Sequence, residues 1–132
     1  MSTNHSYRVI VVDDDEDSRE LMESALAVTG YTTFGAPHAE AVIERLTVEV
    51  PDAIVTDLTL PAMSGEDLAA YVRARPEYAD ILVVATSGRE MDPSTRALFD
   101  IVQPKPIDFA ALVTSLTSAL ESKARKTPRF PD

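Results

Sequence analysis

Apolar positions along the chain keep two alternating rhythms. Arg8-Val9-Ile10-Val11-Val12 is a short β-branched run bounded by acids, the pattern of a strand buried on both faces. From Ser18 to Thr29 the apolar residues Leu21, Met22, Ala25, Leu26 and Val28 fall at helical spacing, and Gly30 supplies a helix stop. Tyr31–Phe34 predicts a second strand. Pro37–Val48 predicts a helix with Ala39, Val42, Ile43 and Leu46 on one face. Pro51 breaks that rhythm, and Ala53-Ile54-Val55-Thr56 predicts a third strand.

Ser64, with Asp67 three residues on, caps a helix over Gly65–Ala74. Ile81–Ala85 predicts a fourth strand. Asp92-Pro93 carries the cap-then-proline signature of a helix start, but only a short helix fits before Asp100. Ile101–Gln103 predicts a short fifth strand. Asp108 then caps an amphipathic helix through Phe109, Leu112, Val113, Leu116 and Leu120. Five strands alternating with helices predict a parallel sheet covered on both faces. Right-handed crossovers favour a doubly wound sheet in order 2-1-3-4-5. Ligands of such sheets bind at the carboxyl ends of the strands, at the switch point between strands 1 and 3.

Length and charge narrow the picture. The 132 residues suffice for one domain with one core. With no cysteine, a disulfide scaffold, a thiolate metal site and a cysteine nucleophile are excluded, and two histidines, His5 and His38, make a multi-histidine site improbable on composition. A formal net charge of -10 argues against nucleic-acid binding through bulk electrostatics and favours a cation or a basic partner. The polar start and the short run Val9–Val12 suit neither a signal peptide nor a membrane span, so a cytoplasmic protein is expected. The bases cluster late: Lys123, Arg125, Lys126 and Arg129 fall in the last ten residues, beside Pro128 and Pro131. The expected organisation is a domain over residues 7–122 and a mobile basic tail over 123–132.

The chemistry lies at the strand ends. Strand 1 runs into Asp13-Asp14-Asp15-Glu16-Asp17. Asp15, Glu16 and Asp17 suit a solvated helix start, where carboxylates favour the positive end of the helix dipole. Asp13 and Asp14 follow a buried strand directly, where two carboxylates are costly without a counter-charge. A hard divalent cation, magnesium in particular, would neutralise them. A calcium loop is excluded, because Ser18 and Ser24 stand where its glycine and final glutamate belong. Asp57 ends strand 3 and is expected beside Asp13 and Asp14. Strand 4 leads into Thr86-Ser87-Gly88, and strand 5 into Lys105-Pro106. A cation site, a carboxylate nucleophile, a hydroxyl donor and an ammonium together make a phosphoryl-transfer site.

With these residues the sequence resembles the receiver domain of bacterial two-component response regulators. The matching segments are Val11-Val12-Asp13-Asp14, Asp57 to Gly65, Ala85-Thr86-Ser87 and Lys105-Pro106, within residues 7–122. The resemblance implies a flavodoxin-like receiver fold. It implies that Asp57 accepts a phosphoryl group from a phosphohistidine of a sensor histidine kinase or phosphotransfer protein. It implies a Mg2+ site, also open to Mn2+, built from Asp13, Asp14, Asp57 and the backbone carbonyl of Thr59. Thr86 and Lys105 would hold the phosphoryl oxygens, Lys105-Pro106 would be a cis peptide, and Pro61 and Gly65 would shape the loop after Asp57. Such a domain is a signalling phosphoacceptor rather than an enzyme, and it addresses a downstream protein that the sequence does not identify.

The sequence also departs from the family. Val102 stands where most receivers carry an aromatic residue, Leu98-Phe99 replaces a Gly-Ala pair, and the segment from Thr86 to Lys105 is about three residues short of the usual spacing. A shortened or irregular fourth helix is therefore expected. Ala85-Thr86-Ser87-Gly88 and the aliphatic residue before the lysine are similar to an atypical single-domain group with an Ala-Thr-Gly signature. The chain as given leaves no room for a DNA-binding output domain, so a stand-alone receiver, or one cut from a longer protein, is expected. Two other readings stay open. One is a degenerate receiver used as a scaffold, against which the complete residue set argues. The other is an aspartyl-phosphate phosphatase, against which Thr59 argues, because those enzymes carry a second aspartate at that position.

Overall fold

A computed structural model describes residues 6–126. Five strands form one parallel sheet in the order β2-β1-β3-β4-β5, as expected. They are β1 (Arg8–Val12), β2 (Thr32–Ala36), β3 (Ala53–Asp57), β4 (Leu82–Ser87) and β5 (Ile101–Pro104). The helices are α1 (Glu16–Val28), α2 (Ala39–Leu46), α3 (Gly65–Arg73), α4 (Pro93–Arg96) and α5 (Phe109–Lys126), with one 3-10 turn at Pro76–Tyr78. No helix among the described residues is long and apolar enough to cross a membrane.

Side chains alternate across a strand, so each buried strand feeds two cores. Ile10, Val12, Ile54, Val83 and Ala85 pack on one face with Val42, Leu46, Leu68, Val72 and Phe99, under α2 and α3. Val9, Val11, Val55 and Val84 pack on the other with Met22, Leu26, Leu112 and Leu116, under α1 and α5. Each fully buried Leu or Val stabilises the fold by about 1.5–3 kcal/mol relative to exposure. These two layers hold the carboxyl edge of the sheet rigid, and the loops on that edge carry the polar residues.

Local sequence sets the helix starts. Asp15 caps α1 by accepting from the Ser18 N–H at 2.9 Å, so this member of the acidic run is structural. Ser64 and Asp67 form a reciprocal capping box on α3. Asp92 accepts from the Thr95 N–H at 2.8 Å with Pro93 at the first helical position, and Asp108 accepts from the Ala111 N–H at 3.0 Å at the start of α5. Gly30 follows α1 at φ +106°, a conformation that side chains rarely adopt.

The fourth helix is a single turn. The chain between α4 and β5 is instead stapled by Arg73 at the end of α3. Its guanidinium donates to the carbonyls of Leu98 (3.1 Å) and Ile81 (3.2 Å) and pairs with the Asp100 carboxylate. The same carboxylate accepts from the Val83 N–H at 2.8 Å. These bonds seat Phe99 in the core at 4% exposure and bring β5 against β4 over a short connection. At the other end, α5 continues to Lys126, so residues 123–126 of the expected tail are helical; Lys123 donates to the Asp80 carbonyl. The remainder of that tail, 127–132, lies outside the described residues.

Candidate functional site

Asp13 leaves β1 with its N–H bonded to the Ala36 carbonyl at 3.1 Å, so β2 fixes the point where the acidic run turns out of the sheet. Asp57 is the last residue of β3 and is buried to 9% exposure. Asp14 is exposed and Asp13 half-buried. One carboxylate oxygen from each of Asp13, Asp14 and Asp57 lies within 4.8 Å of the others. The parallel pairing of β1 with β3 brings these residues together across more than forty positions of sequence.

Burial raises Asp13 above the ordinary carboxylate value of 3.8, and the charges of Asp57 and Asp14 push the same way, against the Asp15 N–H and Lys105. The Asp15 N–H donates to Asp13 Oδ1 at 2.9 Å. Lys105 reaches from beyond β5 and places Nζ 2.9 Å from Asp57 Oδ2. The Thr59 N–H faces Asp57 Oδ1 at 3.3 Å. The Lys105–Pro106 peptide is cis. In the loop after Asp57, Ala62 takes φ +63° and the Gly65 N–H donates to the Leu58 carbonyl at 2.9 Å.

A cavity of about 250 Å³ opens beside Asp57, lined by Leu58, Thr59, Ser87, Gly88, Arg89 and Lys105. Ser87 borders this cavity with its hydroxyl engaged by the Arg89 backbone. Thr86 pairs in register with Asp57, and its carbonyl accepts from the Leu58 N–H at 3.2 Å. Thr86 lines a neighbouring cavity of about 330 Å³ with Asp13 and Lys105, and Lys105 borders both cavities. Residues paired in register share a face of the sheet, so the Thr86 side chain lies on the Asp57 side and Ser87 on the opposite one. Arg89 is a residue that pattern reasoning missed. An arginine two positions beyond a strand end carries no signal by itself.

The donor set suits a hard cation. Three convergent carboxylates, one of them held above its ordinary pKa by burial and like charge, are the environment that a divalent ion with oxygen ligands relieves. The sequence matches the response regulator receiver domain over residues 9–117. The chain belongs to the response regulator receiver family. The receiver is 32% identical over 117 residues to an uncharacterised 14.6 kDa protein from the sodA1 3' region of Leptolyngbya boryana, covering 86% of this chain and 89% of that protein. It is 30% identical over 117 residues to the response regulator MprA of Mycobacterium ulcerans, covering 87% of this chain but only 50% of that protein. Among solved structures, a CheY-like receiver domain from Methylobacillus flagellatus superposes with a TM-score of 0.80 at 28% identity, covering 86% of this chain and 98% of that one. Phosphoryl acceptance is general to the family, whose receivers are signalling domains of two-component systems.

Proposed function

We propose that this receiver accepts a phosphoryl group on Asp57 from a phosphohistidine of a sensor histidine kinase or phosphotransfer protein, and that it signals through protein contact. The observation that carries the reading is the buried Asp57 carboxylate, with Lys105 Nζ at 2.9 Å and the carboxylates of Asp13 and Asp14 converging on it. An Asp57 oxygen attacks phosphorus, the new O–P bond forms, and the P–N bond breaks with its electron pair returning to the imidazole nitrogen. Lys105 moves its contact from the carboxylate to a phosphoryl oxygen. The Thr86 hydroxyl, on the same face of the sheet as Asp57, donates to another. The Thr59 N–H, already facing Asp57, lies where the developing charge needs a donor.

Asp13, Asp14, Asp57 and the Thr59 carbonyl would hold Mg2+ or Mn2+. When bound, the ion supplies positive charge to the carboxylate cluster and to phosphoryl oxygens. Because burial and like charge raise Asp13, its ionised form opposes folding: the penalty is absent below 3.8 and complete above the raised value. Asp13→Asn is therefore expected to raise the melting temperature of the metal-free protein at pH 7, with the gain fading as the pH falls toward 3.8. Mg2+ at a hundredfold its Kd stabilises the wild type by about 2.7 kcal/mol, a rise of roughly 10 °C, and stabilises Asp13→Asn by less. Melting curves with and without Mg2+ at the two pH values check this. A metal-free Asp13→Asn that melts lower than wild type at pH 7 refutes it.

The function itself is tested by incubating the full chain with Mg2+ and a small phosphoramidate or acyl-phosphate donor. Acid-stable, base-labile label that requires the metal is expected. Wild type that takes no label from such donors or from histidine kinases points to the scaffold reading.

A further inference from the structure

The cavity beside Asp57 contains a second cation that the reaction above does not use. Arg89 lines it together with Asp57, Thr59, Ser87, Gly88 and Lys105. Its backbone is clamped to the end of β4. Ser87 Oγ donates to the Arg89 carbonyl at 2.7 Å and accepts from the Arg89 N–H at 3.1 Å. Gly88, between them, contributes no side chain to fill the space, and a Cβ there would touch only the Lys105 Cβ at 4.0 Å.

The Arg89 guanidinium is turned toward Glu66 in the first turn of α3, with Nη2 3.8 Å from Oε1. That separation is too long for a hydrogen bond, and both side chains are partly exposed, at 55% and 30%. Such a pair is worth at most about 1 kcal/mol and is easily exchanged. Glu66 follows Gly65, whose N–H is bonded to the Leu58 carbonyl just past Asp57. The pair thus links the segment after β3 to the segment after β4, beside the cavity that Arg89 borders.

Resting on the functional reading above, we infer that Arg89 is a second phosphoryl-binding cation, held off Asp57 by Glu66 until the phosphoryl group arrives. The phosphoryl group brings a charge of about -1.5 to -2 and three strong acceptors, against the single charge of an exposed glutamate. A guanidinium fork binds two such oxygens at once, which Lys105 as a point charge does not. The guanidinium swings inward about a backbone that Ser87 keeps clamped to the end of β4. Glu66 is then left unpaired at the start of α3, and the surface there differs between the two states.

The test is calorimetric titration of the full chain with beryllofluoride, a tetrahedral phosphoryl mimic, in saturating Mg2+. Arg89→Ala is expected to weaken binding roughly tenfold or more, the worth of a hydrogen bond to a charged group. Arg89→Lys is expected to recover part of that loss. Glu66→Gln is expected to tighten binding about two- to fivefold, because the competitor is gone. In the Arg89→Ala background, Glu66→Gln should have no effect. Wild-type affinity in Arg89→Ala overturns the inference. So does an unchanged Glu66→Gln effect without Arg89, since Glu66 would then act on the cavity directly. Melting curves confirm that each variant is folded. A wild type that binds no beryllofluoride and takes no label overturns the functional reading itself, whereas a labelled wild type with an indifferent Arg89 overturns only this inference.

Discussion

Asp57→Asn is expected to reduce phosphoryl labelling to background while the fold persists. The amide has the shape of the carboxylate but not its negative charge, and it is a far weaker nucleophile. Asp13 and Asp14 are not expected to take over, because Lys105 Nζ sits on Asp57 and the cavity bordered by Arg89 opens beside Asp57. The variant is also expected to hold its melting temperature or exceed it without metal. Asp57 is one of the like charges that raise Asp13, and removing it relieves that repulsion, although it also removes the partner of Lys105. The measurement is metal-dependent label followed by alkaline hydrolysis, beside a melting curve. Label that survives the substitution in a folded protein would place the phosphoacceptor elsewhere.

Gly65→Ala is expected to cost about 3 kcal/mol or more and to slow labelling, although the new side chain carries no charge and the position begins a helix. A Cβ at Gly65 would lie 2.3 Å from the Asp57 carbonyl oxygen and 2.9 Å from the Leu58 Cα. Both are backbone atoms, which no rotamer change moves out of the way. The Gly65 N–H is at the same time bonded to the Leu58 carbonyl, so retreat of the helix breaks that bond. Relief of the clash must shift either α3 or the end of β3, and the second displaces the nucleophile. Denaturant unfolding measures the stability, and the initial rate of labelling measures the displacement. A variant with wild-type stability would show that the loop yields at no cost.

Much of this architecture is written locally. The runs of Val and Ile at 9–12 and 53–55 mark strands buried on both faces, and such strands belong to parallel sheets. Asp15, Ser64, Asp92 and Asp108 mark helix starts through bonds to N–H groups three residues away, so their signal needs no tertiary partner. The convergence of Asp13, Asp14 and Asp57 followed from strand order and the rule for strand ends. Other features were less legible. α5 runs on through residues 123–126, whose basic side chains suit a helix end in sequence as well as they suit an unstructured tail. The single turn of α4 was foreseen from spacing, but the Arg73 staple that makes so short a connection workable joins residues 25 and 27 positions apart and leaves no local pattern.

The sequence by itself determined the elements, the parallel order and the acids that meet at the switch point, because periodicity, capping and strand-end position are properties of neighbours along the chain. Only the tertiary structure decided that Arg89 borders the cavity beside Asp57 and approaches Glu66. Arg89 lies beyond the end of β4, and where it falls relative to Asp57 depends on how far β4 extends past β3. That extent is set by packing across the sheet, which no local run of residues records.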